Sequence, residues 1–138
     1  MTSVGKNTKT VKRAMGDIYE QRACQLLLEQ GLQICQTNYA VAGVGEIDII
    51  AIEQRQLRDK IVSQLVFVEV RSRRQSRYAD AIGSITPAKQ QRIIKTAEHF
   101  LQNHPEYQAY ACRFDVIGFL LDQTGKTVCE WLSGAFTA

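Results

Sequence analysis

Val66-Phe67-Val68-Glu69-Val70-Arg71 is the stretch on which the fold turns. Its β-branched and aromatic residues read as a strand, which its neighbours extend to residues 61–71. Alternation puts Val66, Val68 and Val70 on one face and Phe67, Glu69 and Arg71 on the other. Such a strand is too apolar to be a plain surface edge, so Glu69 sits among apolar neighbours. A buried carboxylate is costly unless it is paired or bound to a metal. Arg71 on the same face can supply one partner, and a divalent cation can supply another.

Upstream, Gly45-Glu46-Ile47-Asp48-Ile49-Ile50 belongs to a second charged strand, residues 46–52. Strict alternation places Glu46, Asp48 and Ile50 on one face and Ile47, Ile49 and Ala51 on the other. Two acids on one face repel each other unless they are exposed or a cation lies between them. Ahead of these strands, residues 10–30 follow a helical pattern, with Val11, Ala14, Met15, Ile18, Leu26 and Leu27 recurring at spacings of three and four. Glu20 lines up with Gly16, Cys24 and Leu27 rather than with the polar face, an orientation that aims it at the strand acids. Gly31 ends the helix, and residues 32–39 make a short strand.

Downstream, residues 53–60 are polar and charged and read as a hairpin loop, and a long basic loop is expected over residues 72–85. Thr86-Pro87 reads as N-cap and first residue of a second helix, whose apolar face is Ile93, Ile94, Ala97, Phe100 and Leu101. Strands follow at residues 113–121 and, after a turn at Gly125, at 127–132. The order is one helix, three strands, one helix, two strands. It predicts an α/β fold, with a central mixed β-sheet flanked by helices.

The chain of 138 residues suits one domain over residues 10–138, preceded by a flexible basic tail, residues 1–9. A net charge of +3 says little, but its distribution says more. Lys6, Lys9, Lys12 and Arg13 cluster near the start, and Arg71, Arg73, Arg74 and Arg77 near the middle. Such clusters suit either phosphate contacts or a solvated basic surface. Tyr78, among the second cluster, can stack on an unpaired base or face the core. Cys24, Cys35, Cys112 and Cys129 form no C-x-x-C pair and have no zinc-ligand spacing with His99 or His104, so free thiols are expected, buried at Cys24 and Cys112. With no apolar leader and no long apolar run, the expected setting is the cytoplasm, with no membrane partner.

Taken together, Gly45-Glu46-Ile47-Asp48, Val66-Phe67-Val68-Glu69-Val70-Arg71-Ser72-Arg73 and Arg113-Phe114-Asp115-Val116 resemble the YraN-like family of small bacterial proteins. Glu20 with Ala23, Gly31, Asn38, Lys89 and the terminal Ala135-Phe136 extend the resemblance over nearly the whole chain from Gly16. That family is similar to a branch of the PD-(D/E)xK nuclease superfamily, near the Holliday junction resolvases. The resemblance implies a restriction-endonuclease-like core. It also implies a catalytic set of Glu20, Asp48, Glu69 and Arg71, with Asp48 and Glu69 as ligands of Mg²⁺ or Mn²⁺. Glu46 and Asp115 stand as supporting acids, although a structural salt bridge with a nearby arginine explains Asp115 equally well. Arg73, Arg74, Arg77 and Lys89 are the nucleic-acid-binding candidates. Lysine usually stands where this sequence has Arg71. Guanidinium is always protonated in proteins, so Arg71 can hold charge at a phosphate but cannot act as a general base.

The expected activity is therefore metal-dependent hydrolysis of nucleic-acid phosphodiester bonds, on DNA and on branched structures in particular. Two other readings stay open: a nucleic-acid-binding domain without turnover, and a protein-interaction module in which the acids are only a structural network. Analogy with junction resolvases also admits a homodimer.

Overall fold

The computed structural model describes residues 8–74 and 85–138, with side chains from 16 to 73 and from 85 onward. The tail at residues 1–7, the Arg77 and Tyr78 positions, and the side chains of Lys9, Lys12, Arg13 and Arg74 lie outside the described residues. In chain order the elements are α1 (Thr8–Glu29), β1 (Gln33–Val41), β2 (Gly45–Leu57), β3 (Lys60–Arg74), α2 (Pro87–Asn103), a 3₁₀ turn (Pro105–Tyr107), β4 (Ala111–Leu121) and β5 (Thr127–Phe136). The strands form one open mixed sheet in the order β1-β2-β3-β4-β5. Among the described residues only the β3–β4 pair is parallel. A parallel neighbour needs a long crossover, and α2 lies in it. Among the described residues, no helix is long and apolar enough to cross a membrane.

Each helix covers one face. On the first, Ala23 and Leu27 of α1 pack on Ile49, Ala51, Val66, Val68, Ile117 and Phe119. On the second, Ile93, Ile94, Ala97 and Phe100 of α2 pack on Ile47, Ile50, Ile52, Leu65, Phe67, Phe114 and Val116. The helix ends follow their local chemistry. Gly31, at φ 87°, closes α1 as a Schellman cap, with Gly31 N–H donating to Leu28 O and Leu32 N–H to Leu27 O, both at 3.0 Å. At the start of α2, the Thr86 hydroxyl accepts from Lys89 N–H at 3.1 Å, and Pro87 follows in the first turn. The cap fixes where Lys89 leaves the helix.

Several expectations are corrected. Residues 53–60 are not a loop: β2 and β3 stay paired to Leu57↔Lys60, around a two-residue turn of Arg58-Asp59. This arm runs beyond the pairing of β1, which starts at Gln33↔Ile52, and of β4, which starts at Gln64↔Ala111. With no helix over it, its residues need no apolar alternation. The basic stretch after Arg71 likewise begins as strand, because β3 pairs with β4 through Arg74↔Leu121. β5 runs past residue 132 to Phe136, whose ring stacks on Phe114 at 5.0 Å. Ile18 is 54% exposed rather than a core residue, since the buried stripe of α1 runs through Tyr19, Ala23, Leu26 and Leu27, about 100° around the helix. The cysteines are free as expected, but neither of the two expected to be buried is: Cys24 is half-buried and Cys112 is exposed.

Candidate metal centre

The strict alternation expected in β2 breaks at Asp48. Ile47 and Ile50, three residues apart, both pack under α2, whereas Ile49 and Ala51 face α1. On the neighbouring strand, Asn38 takes a positive φ of 52°, a conformation that asparagine tolerates better than most residues. The β2–β3 ladder begins only at Ile49↔Val68. Asp48 thus sits where the two strands fork, next to Glu69. Its Oδ2 accepts from Val70 N–H at 2.8 Å and takes the place of the missing backbone acceptor.

The two carboxyl groups are hydrogen-bonded to each other. Burial pushes Glu69 up to about 8, and the Asp48 charge adds to the rise while Lys89 and Arg71 oppose it. Burial also raises Asp48, against the pull of Val70 N–H, Glu69, Lys89 and Arg71. Burial and the repulsion between the two groups therefore favour a shared proton over two negative charges. On one side stand two cations: Lys89 Nζ and Arg71 Nη1 each lie 3.7 Å from Glu69 Oε2. On the other side lies Glu20, which burial, then Asp48, Asp17 and Glu46, raise to about 7 against a hydrogen bond with Asn38. Beyond Glu20 opens a cleft of about 500 Å³ between α1 and β1, lined by Asp17, Gln21, Cys24, Gln25, Thr37 and Asn38 among others. The centre is polarised, with an acidic groove on the α1 flank and cations on the α2 flank.

Helix α2 approaches β2 closely because Gly45 has no side chain. A Cβ there would lie 2.8 Å from Thr96 Oγ1 and 3.2 Å from Arg92 O. Thr96 is fully buried, and its hydroxyl donates to Arg92 O at 2.7 Å. This contact seats the helix that carries Lys89.

The structure thus gathers Asp48, Glu69, Arg71 and Lys89, with Glu20 in electrostatic reach. Lys89, grouped by sequence with the nucleic-acid contacts, points at the carboxylates themselves. Glu46 is exposed and acts on Glu20 only through its charge. Arg73 is exposed on the β3 extension, where its Nη1 donates to Ser72 O at 3.1 Å. Asp115 does not support the centre. It lies on the α1 face, where Arg113, Trp131 Nε1 and Gly134 N–H occupy both its oxygens. Asn38, which sequence periodicity gave no role, bonds Glu20 and marks the fork. A lone asparagine amid a strand was the available signal.

Two oxygen donors with a shared proton suit a hard divalent ion, which can replace that proton. Among the described residues, no group of three or more His, Cys, Asp and Glu side chains is gathered to hold a metal ion.

A family model described as "Uncharacterised protein family UPF0102" matches residues 19–119. The chain belongs to the UPF0102 family. This small bacterial family is classed with the YraN-like, PD-(D/E)xK fold, and the open mixed sheet between two helices agrees with a restriction-endonuclease-like core. A UPF0102 protein of Psychrobacter sp. (strain PRwf-1) is 44% identical over 133 residues, covering 92% of this chain and 90% of that protein. One from Nitrosococcus oceani is 45% identical over 124 residues, covering 90% and 92%. Another, from Acinetobacter baumannii (strain AYE), is 39% identical over 138 residues, covering 92% and 97%. The UPF0102 match includes Glu20, Asp48, Glu69, Arg71 and Lys89. It ends before Trp131 and Gly134, which complete the surroundings of Asp115.

Proposed function

We propose that this UPF0102 protein is a metal-dependent endonuclease acting on nucleic acid, with DNA as substrate and branched DNA as the first structure to test. The observation that carries this reading is the Asp48–Glu69 pair, hydrogen-bonded together at the strand fork with Lys89 and Arg71 beside it. Asp48 and Glu69 would hold Mg²⁺ or Mn²⁺. Such an ion, when bound, supplies Lewis-acid polarisation of a phosphodiester and activation of water. The chain's own residues supply the rest. Lys89 and Arg71 offer positive charge where negative charge develops on phosphate oxygens. An ammonium can exchange a proton and a guanidinium in a protein does not, so any proton-handling role falls to Lys89 and not to Arg71. Arg73 on the β3 extension adds charge for the phosphate backbone.

Arg71, whose guanidinium does not exchange a proton where a lysine could, favours a second reading, a nucleic-acid-binding domain without turnover. Cleavage assays on linear, flap and four-way-junction DNA with Mg²⁺ or Mn²⁺ separate the two. The first reading expects cutting that falls about 100-fold or more in Lys89→Met, as for loss of a charge-stabilising donor, and vanishes in Asp48→Asn. DNA binding without cutting on every substrate supports the second.

A further inference from the structure

The arm that β2 and β3 extend beyond the sheet carries residues that the metal centre does not use. Leu57, Ile61 and Val62 are 57%, 67% and 43% exposed, so half of the six large apolar side chains open to solvent among the described residues gather there. Beside them stand Arg55, Arg58 and Lys60, all exposed, with Asp59 the one acid of residues 54–63. Glu53, at the base of the arm, is already engaged by Arg55 Nε at 3.0 Å and Arg113 Nη1 at 2.9 Å. The register sets Arg55 opposite Val62 and Leu57 opposite Lys60, so these four share one face, while Gln54, Gln56, Ile61 and Ser63 share the other. Both outer edges run past the pairing of β1 and β4, so the outward backbone N–H groups have no sheet partner among the described residues. At the tip, Arg58 takes φ 55°. Two-residue hairpin turns place glycine, asparagine or aspartate at such a position, since other side chains crowd the backbone there. The hairpin itself does not call for an arginine at that point.

We propose that the β2–β3 arm is a docking element for duplex DNA, which it grips away from the metal centre. The inference rests on the nucleic-acid reading of the protein and adds where the flanking duplex is held. Residues 53–57 span about 17 Å, and a two-stranded ribbon fits a major groove about 12 Å wide and 8.5 Å deep. Arg55, Arg58 and Lys60 then face phosphates, and the outward N–H groups can donate to phosphate oxygens. Leu57, Ile61 and Val62 meet sugars and thymine methyls, apolar surface that leaves water on docking. Leu57 lies nine residues along β2 from Asp48, which is about 30 Å. The arm therefore sets affinity and does not touch the bond that is cut. A second copy of the chain suits this surface less well than a polyanion does. In a two-fold contact between arms each residue meets the same patch on the partner, which would set these three cations against their own equivalents.

The test is DNA binding by the full chain without metal, read as fluorescence anisotropy of labelled duplex and four-way-junction DNA across a salt series. Arg58→Gln combined with Lys60→Gln is expected to weaken binding several-fold and to reduce the salt slope by about 1.8, the value for two lost phosphate contacts. Leu57→Ser combined with Ile61→Ser should weaken binding at an unchanged slope. Unaltered affinity in either pair overturns the proposal. So does a dimer, seen by sedimentation, that the serine pair dissolves while DNA affinity stays the same. Should the glutamine pair fail to fold, Lys60→Glu alone serves instead; it should weaken binding several-fold, and unaltered affinity again overturns the proposal. The nuclease reading fails separately: DNA that is held through the arm but never cut with Mg²⁺ or Mn²⁺ contradicts cleavage and supports the docking role.

Discussion

Two strand segments of this protein carry the same pair of residue types at the same separation and use them in opposite ways. Glu69 and Arg71 lie two apart on β3, and Arg113 and Asp115 lie two apart on the adjacent β4. Both acids are buried, Glu69 at 6% exposure and Asp115 at 0%. On β4 the pair is a fork on a fork, with Arg113 Nε and Nη2 donating to the two Asp115 oxygens at 2.8 and 3.0 Å. Trp131 Nε1 at 2.9 Å and Gly134 N–H at 3.0 Å add to it, and the remaining Arg113 nitrogen reaches Glu53 and Gln64. Burial opposes the Arg113 charge, but the Asp115 and Glu53 bonds hold its proton above the ordinary range. On β3 the arginine Nη1 stays 3.7 Å from the glutamate, and Glu69 hydrogen-bonds another acid, Asp48. Acid-x-arginine spacing is therefore not a functional signature by itself. What matters is whether the structure completes the carboxylate's hydrogen bonds or leaves it sharing a proton. A completed network holds the sheet edge together, and an incomplete one is open to a ligand.

The comparison can be broken most sharply by truncation. Asp115→Ala leaves Arg113 buried without its main partner and should cost about 3–5 kcal/mol, read from urea unfolding. Asp48→Asn removes one of two competing acids and should leave stability unchanged or raised. Equal losses in the two variants would mean that both acids are structural.

Next in size is Gly45→Ala. The added methyl drives into Thr96 Oγ1 and the Arg92 carbonyl, so α2 must shift, at an expected cost of about 1–3 kcal/mol. Because that helix carries Lys89, DNA cleavage should fall by more than the loss of folded protein explains. Activity that simply follows the folded fraction would detach Lys89 from the centre.

A smaller effect lies in pH. Glu69 rises to about 8 in the fold from an ordinary 4.5, and Glu20 to about 7. Between about pH 4.5 and 8 the unfolded chain has released these protons while the folded chain retains them. Stability from these groups therefore declines as pH rises through that window and levels off above it. Glu69→Gln should flatten the decline, measured by thermal unfolding from pH 5 to 8.5. A slope identical to that of the unchanged protein would contradict the shift.

Much of this was legible in the sequence. Gly31, Thr86-Pro87 and the β-branched core of β3 each have a local physical cause, and the structure keeps all three. Asp48 and Glu69 were legible because charge interrupts apolar strands there. The extended arm from Glu53 to Ser63 was not, since a two-stranded ribbon without a helix over it carries no apolar alternation. The direction of Lys89 depends on how closely α2 seats at Gly45, which is a tertiary contact. The local pattern Arg-x-Asp at Arg113 could not reveal that Trp131 and Gly134, far along the chain, would saturate Asp115. Asp48 itself misled strict alternation because the strand reverses face at the fork, beside Asn38 with its positive φ on the neighbouring strand.

The central claim is that Asp48 and Glu69 form a centre that exchanges a shared proton for a divalent cation. Titration calorimetry with Mn²⁺ at pH 6 and pH 8, each in two buffers of different ionisation enthalpy, tests it most directly. The account predicts one site that binds more tightly at pH 8, releases about one proton per ion at pH 6, and disappears in Asp48→Asn and in Glu69→Gln while persisting in Asp115→Asn. Binding that survives Asp48→Asn, or that releases no proton at pH 6, would contradict it.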